Sequence, residues 1–269
     1  METGQSLAGR TAVVTGVGRQ RGIGFAVARR LAESGANLAI AHWAAHDAEQ
    51  PYGADSIAEL EDRLRSYVRP GAGFVSISAD FADPATPADV MERVRGALGP
   101  VDILVANHAK SGGDGPLDAL NADMLEAHWR VNVQSVLLLT QGFAAQFGGE
   151  AGSVIWMTSG QLKGPMREEI AYASSKAALA GITESVADTL IDQGIRLNTV
   201  NPGPVNTGYL DEQYFADAPD QLAALKARFP LGRIGEPDDP ARLIAWLVSD
   251  DARWVSGQVI SSEGGFRRW

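Results

Sequence analysis

Thr11-Ala12-Val13-Val14-Thr15 runs straight into Gly16-Val17-Gly18-Arg19-Gln20-Arg21-Gly22-Ile23-Gly24, and a helical pattern opens at the last glycines. A short β-branched run, a glycine-rich turn and a helix in that order form the first half of a βαβ unit. Glycines let the chain turn tightly and bring backbone N–H groups up to a pyrophosphate at the positive end of the following helix. Gly16, Gly18, Gly22, Ile23 and Gly24 are therefore candidate phosphate-binding residues. The plain alternative, a glycine-rich turn without a ligand, is the weaker reading for a loop placed after the first strand and before a helix.

The same alternation continues outward from this loop. Strands are predicted at Thr11–Thr15, Asn37–His42, Gly73–Ser78, Val101–Asn107, Ser153–Thr158, Arg196–Val200 and Gln258–Ser261, with amphipathic stretches between them beginning at Ile23–Glu33. The nearly continuous apolar run Val101-Asp102-Ile103-Leu104-Val105 suits a parallel strand buried on both faces. Thr86 before Pro87, with Asp89 following, reads as an N-cap, a proline in the first turn and an early acid; Asn121 and Glu236 mark two further helix starts. No linker, repeat or low-complexity tract divides the chain, so residues 1–269 are expected to form one doubly wound α/β domain of Rossmann type.

The composition bounds what such a domain can do. With 45% apolar and 21% charged residues, the chain has the balance of an ordinary soluble globule. A formal charge of −10, with only four lysines, makes nucleic acid and anionic membranes poor partners. Cysteine is absent, which removes disulfides, thiolate metal sites and cysteine nucleophiles. Of His42, His46, His108 and His128 only His42 and His46 have ligand spacing, and they follow a strand rather than sit within a helix, so no metal is expected. Met1-Glu2-Thr3-Gly4-Gln5-Ser6 carries an acid where a signal peptide needs a cation, and no apolar run approaches the roughly 18 residues a bilayer requires. A cytoplasmic protein is expected.

Chemistry is concentrated further along. Tyr172 and Lys176 are four residues apart in a segment of strong helix formers, which sets them on one helix face. A free phenol titrates near 10, and a neighbouring ammonium lowers that value by stabilising the phenolate, so Tyr172 becomes a usable acid/base. Ser159 lies thirteen residues earlier, at the end of the strand Val154-Ile155-Trp156-Met157-Thr158, where ligands gather in open α/β sheets. Asn132 stands in an otherwise apolar helical stretch, an unfavourable position that calls for a solvated, structural or functional role.

At strand two, an acid normally hydrogen-bonds a ribose 2′-hydroxyl and repels a 2′-phosphate. Here the strand ends Ala41-His42-Trp43-Ala44, and Asp47 comes several residues late. His42 is the cofactor-binding candidate at this tip. Arg19 and Arg21 could fork onto a 2′-phosphate, although either can equally be solvated loop charge. NADP(H) is predicted over NAD(H), which stays possible.

Taken in order, these motifs resemble the short-chain dehydrogenase/reductase family over essentially the whole chain. They are the glycine loop, Asp80, Ala106-Asn107-His108-Ala109, Asn132, Ser159, Tyr172 with Lys176, and Pro202-Gly203-Pro204-Val205-Asn206-Thr207. The 3-oxoacyl thioester reductases are the subgroup most similar in appearance. The resemblance implies a seven-stranded parallel sheet with helices on both faces, assembled as a homotetramer or homodimer. It also implies Tyr172 as acid/base, Ser159 on the substrate carbonyl, Lys176 on the nicotinamide ribose and Asn132 on a water of the proton relay. Val205 and Thr207 would meet the carboxamide, Asp80 and Phe81 would border the adenine, and Asn107 would line the channel, with Pro202 and Gly203 counted among the cofactor contacts.

Three departures stand out. Five residues, Val17 to Arg21, separate Thr15-Gly16 from Gly22-Ile23-Gly24 where the family has three. His108 replaces a small residue, and its plainer role is a hydrogen-bonded wall of the pocket. The stretch 44–56, with His46 and Tyr52 following Trp43, has no assigned mechanism. Residues 208–230 are expected to cover the substrate as a mobile lid, with Tyr209, Leu210, Tyr214 and Phe215 favouring a partly apolar ketone or alcohol. The competing expectations are a catalytically silent NADP(H) sensor or regulatory subunit, which would be expected to lack part of the acid/base set, and a scaffold subunit, for which no residue speaks.

Overall fold

The computed structural model describes residues 7–50, 53–215 and 219–268, with only the backbone of residues 212, 214 and 219. The expectations resting on Met1–Ser6, Tyr52, the Tyr214 side chain and residues 216–218 lie outside the described residues. In chain order the elements are β1 (Thr11–Thr15), α1 (Ile23–Glu33), β2 (Asn37–His42), α2 (Ala44–Ala48), α3 (Ile57–Arg65), β3 (Phe74–Ser78), α4 (Thr86–Leu98), β4 (Ile103–Ala106) and α5 (Ala122–Trp129). A π turn (Arg130–Gln134) leads into α6 (Ser135–Gln146), followed by β5 (Gly152–Met157), α7 (Ile170–Ile191), β6 (Ile195–Asn201), α8 (Pro219–Ala227), α9 (Asp238–Leu247) and β7 (Val259–Ser261).

The seven strands form one parallel sheet in the order β3-β2-β1-β4-β5-β6-β7. Strand side chains alternate between faces, so each strand feeds two cores. Val14, Ile40, Val105 and Ile155 pack with Leu31 of α1, Leu60 and Leu64 of α3, and Ile244 and Leu247 of α9. Val13, Ala39, Leu104, Val154 and Leu197 face the other way, onto Val90 and Val94 of α4, Leu139 and Phe143 of α6, and Leu179 of α7. Each such fully buried side chain contributes about 1.5–3 kcal/mol. The strand order reverses between β1 and β4, and the crevice beyond their carboxyl ends is where a doubly wound sheet binds its ligand.

Local signals mostly behave as the sequence indicates. Asn121 caps α5, its Oδ1 accepting from Met124 N at 3.0 Å. Thr86, expected as an N-cap, is instead the first residue of α4: Asp83 turns the chain just before it, its Oδ1 accepting from Ala85 N at 2.9 Å. Helix α9 starts two residues after Glu236, whose N–H donates to Asp239 Oδ2 at 2.8 Å. The strand expected from Val101 begins at Ile103, because Val101 pairs through its backbone with the Gln146 side chain. Among the described residues no helix is long and apolar enough to cross a membrane.

Candidate active site

The glycine loop rises from β1 at the crevice. Gly16 has φ +70°, and a Cβ there would stand 2.7 Å from His108 Cα; a Cβ on Gly24 would collide with the Gly16 carbonyl oxygen. Both positions therefore exclude side chains, which leaves bare backbone at the start of α1. Asn107 locks the loop to the end of β4, its Nδ2 donating to Thr15 O at 3.0 Å and Gly16 O at 3.1 Å. A cavity of about 520 Å³ opens in front of this cradle. Its wall takes Gly16, Gly18, Arg19, Gly22 and Ile23 from the loop, His42, Asp80 and Phe81 from the ends of β2 and β3, and Asn107 and Thr207 from beyond β4 and β6. A side-chain-free cradle at a helix N-terminus, beside a cavity walled by the ends of β1, β2, β3 and β4, fits a dinucleotide.

The longer loop puts its arginines across the cleft. Arg19 donates to Thr207 O at 2.7 Å and to its Oγ1 at 3.3 Å, and lies 3.8 Å from Asp47. Arg21 forks onto Asp211 with two bonds of 2.7 Å, and Asn206 Nδ2 donates to the same carboxylate at 2.9 Å. Hydrogen bonding from Arg21 and Asn206 holds Asp211 down at about 2. The stretch after β2 gains a structural reading: α2 folds Asp47 back over Gly18, and His46, Asp47 and Glu49 join the cavity wall. Burial raises the Asp47 carboxyl against the pull of Arg19. Burial also lowers the His42 imidazole, whose Nδ1 has no hydrogen-bond partner.

Beside the cavity lies the second group. Asn132 is fully buried in the π turn, a distortion often found at functional sites. Its Oδ1 accepts from Lys110 N at 2.7 Å, and its Nδ2 donates to Lys110 O at 3.2 Å and Ser175 Oγ at 2.9 Å. Lys176 is 2% exposed and donates to Met157 O at 3.0 Å, so α7 is pinned to the end of β5, two residues before Ser159. Burial pulls the Lys176 ammonium down to about 8, and its Nζ stands 5.8 Å from the Tyr172 ring centroid. Asn132 is thus tied to the loop after β4 and Lys176 to the end of β5, Tyr172 stands next to Lys176, and Ser159 follows β5 by two residues, while none of the four lies in the wall of the 520 Å³ cavity.

His108 joins the two groups. Ser135 Oγ gives its proton to Val131 O at 2.6 Å, so the 2.7 Å bond between Ser135 Oγ and His108 Nε2 must carry the imidazole proton. Nδ1 then accepts from Thr15 Oγ1 at 2.6 Å, an assignment made from the network. Burial pushes this imidazole down to about 3, and it stacks on Phe81 at 4.0 Å. His108 is the hydrogen-bonded wall residue of the plainer expectation.

The 202–207 motif divides. Thr207 faces the cavity, whereas Pro202 lines a separate space of about 210 Å³ near the C-terminal tail, and Gly203, at φ +68°, packs on Glu263. Val205 is buried, bridged to Gly235. Sequence reading passed over Asp114, whose carboxylate accepts from Ala171 N at 3.0 Å and Tyr172 N at 2.6 Å, and over Lys110 in the cavity wall. Only the Asp-Gly turn signal of Asp114-Gly115 marked the former, and its partners lie more than fifty residues away. Among the described residues no group of three or more His, Asp and Glu could hold a metal ion.

Comparison with known proteins matches residues 16–267 to a family described as enoyl-(acyl carrier protein) reductase. An uncharacterized oxidoreductase of Bacillus subtilis is 36% identical, with 96% of this chain and 97% of the relative covered. The 3-oxoacyl-[acyl-carrier-protein] reductase of Escherichia coli is 31% identical over 96% of this chain and 97% of its own. Among solved structures, a blue fluorescent protein from a metagenomic library, in complex with NADPH, superposes with a TM-score of 0.82 at 32% identity, covering 97% of this chain and 99% of that one.

Proposed function

This chain belongs to the short-chain dehydrogenase/reductase family, and we propose that it is an NADP(H)-dependent oxidoreductase interconverting a ketone and a secondary alcohol. The observation that carries the reading is Lys176, buried, pinned to Met157 O, one helical turn from Tyr172 and close enough for its charge to act on His108 of the cavity wall. When bound, the nicotinamide gives or accepts the hydride. At neutral pH an ammonium titrating near 8 is mostly charged, and it stabilises the Tyr172 phenolate. In the reductive direction Tyr172 gives its proton to the carbonyl oxygen while Ser159 holds that oxygen. Asn132 keeps one Oδ1 lone pair for a water that resupplies the proton.

NADP(H) is preferred over NAD(H) because His42 stands at the tip of β2 where an acid would reject a 2′-phosphate, and Arg19 lies in the cavity wall. The NADPH complex of the metagenomic relative supports this preference. On binding, Arg19 exchanges Thr207 and Asp47 for phosphate oxygens, which frees Thr207 for the carboxamide, with Val205 alongside. The substrate is a partly apolar ketone, 3-oxoacyl thioesters included, covered by residues 208–230. One cytoplasmic dinucleotide-binding domain assembles as a homodimer or homotetramer, for which the exposed Trp246 and the 98%-exposed Trp254 near β7 supply an apolar face.

Parallel titration with NADPH and NADH, followed by nicotinamide fluorescence, tests the cofactor without a guess at the substrate. Tighter NADPH binding is expected; tighter NADH binding contradicts the preference, and binding of neither contradicts the whole reading.

A further inference from the structure

We propose that Asp114 is a positioning residue for Tyr172, setting the first turn of α7 and the charge felt by the phenol; this rests on Tyr172 being the acid/base. Helix α7 begins without help from its own sequence, since Glu169 at the N-cap makes no capping bond through its side chain. The cap comes instead from the loop after β4. Gly115 O accepts from Ile170 N at 3.3 Å, Asp114 Oδ1 from Ala171 N at 3.0 Å, and Asp114 Oδ2 from Tyr172 N at 2.6 Å. Three successive first-turn amides are thereby satisfied from outside the helix, and the shortest of these bonds is on the residue whose phenol does the chemistry.

The same loop holds the glycine cradle through Asn107 and the π turn through Lys110 and Asn132. Asp114 therefore ties Tyr172 to the frame that holds cofactor and relay. Lys176, a turn later, has its own anchors: its Nζ donates to Met157 O, and its backbone O accepts from Thr158 Oγ1 at 2.9 Å. Removing Asp114 should loosen the tyrosine and leave the lysine in place.

Charge supplies the second effect. A carboxylate at the positive end of α7 offsets the helix dipole that would otherwise favour the phenolate. Burial works against the ionised Asp114, but the N–H bonds from Tyr172, Ala171 and Gly115 outweigh it and keep this carboxyl low. The other titratable groups at this end of the helix are Lys176 on α7, Glu169 at its start, and the buried His128 of α5, whose ring lies edge-on to Tyr172 at 6.4 Å between centroids. All three stay in the variants below.

The experiment compares wild type with Asp114→Ala, Asp114→Asn and Tyr172→Phe in NADPH-dependent reduction of an accepted ketone, with NADPH affinity and a pH–rate profile for each. Asp114→Ala should lower kcat about 10-fold to 100-fold with NADPH affinity unchanged. Asp114→Asn, which keeps one of the two acceptor oxygens and loses the charge, should recover part of kcat, with its alkaline limb moved down by about half a pH unit or more. Should the alanine variant not fold, the limb of the asparagine variant decides. Wild-type kcat and pH profile in both variants, or a loss of kcat matched by a loss of NADPH affinity, overturns the proposal while Tyr172→Phe is inactive. An active Tyr172→Phe overturns the reading beneath it instead.

Discussion

The two ends of the cleft are held by different kinds of bond. Around Asn132, His108 and Lys176, buried side chains are tied to backbone atoms and hydroxyls, with Lys110, Val131, Met157, Thr15 and Ser135 as partners. Around the glycine loop, charged side chains meet one another or the backbone: Arg19 with Asp47 and Thr207 O, Arg21 with Asp211, and Asp55 with the Gln20 N–H. Neutral buried bonds to the backbone fix one geometry and are costly to leave unmade. The exposed Arg21–Asp211 pair is weak and salt-screened, and the part-buried Arg19–Asp47 contact is long at 3.8 Å, so both can be given up when a phosphate arrives. On the proposed reading, the end assigned to chemistry holds still and the end assigned to the phosphate changes partners.

The largest effect should come from the chemical end. Tyr172→Phe should lower kcat about 10²- to 10⁴-fold and leave NADPH affinity unchanged, read by steady-state rates beside fluorescence titration. A parallel loss of affinity would mean that the two ends are not separable.

His108→Ala breaks the same end through stability. It takes the imidazole partner from the Thr15 and Ser135 hydroxyls, which keep only their backbone bonds, and leaves a void, at a cost of about 2–4 kcal/mol in urea unfolding. The imidazole also fixes a pH dependence. An unfolded His binds its proton near 6.5, whereas folding holds this one at about 3, so the stabilisation is complete above pH 6.5 and is lost as pH falls toward 3. The variant should show less destabilisation than wild type across that window.

At the other end the changes should be smaller and cofactor-specific. Arg19→Ala should weaken NADPH about 10-fold and NADH little, since it removes a charge-assisted bond to a phosphate that only NADPH carries. Asp211→Asn should change NADPH affinity by no more than about threefold at low salt and not at all in high salt, as expected for releasing an exposed pair. Equal weakening of both cofactors by Arg19→Ala would place that arginine on the pyrophosphate.

What was legible in the sequence follows the same division. The strand positions and the glycine cradle come from local pattern, β-branched runs and bare glycines, whereas the single seven-stranded parallel sheet was what the family resemblance implied. Tyr172 and Lys176 could be paired because one helix turn carries both. Asp114 could not be joined to Tyr172, nor Asp47 to Gly18, because those contacts are made by loops returning over long stretches of chain, without periodicity. Thr86 misled for a local reason: Asp83 turned the chain first. The lengthened glycine loop announced its arginines but not their partners, since Thr207 and Asp211 approach from beyond β6.

Transfer of deuterium from NADPH deuterated at both C4 positions to a panel of ketones tests the central claim most directly. Hydride transfer requires deuterium on the carbinol carbon of at least one product alcohol, at a rate that collapses in Tyr172→Phe. Tight NADPH binding with no labelled alcohol from any ketone, or labelling that persists undiminished without the phenol, would contradict it.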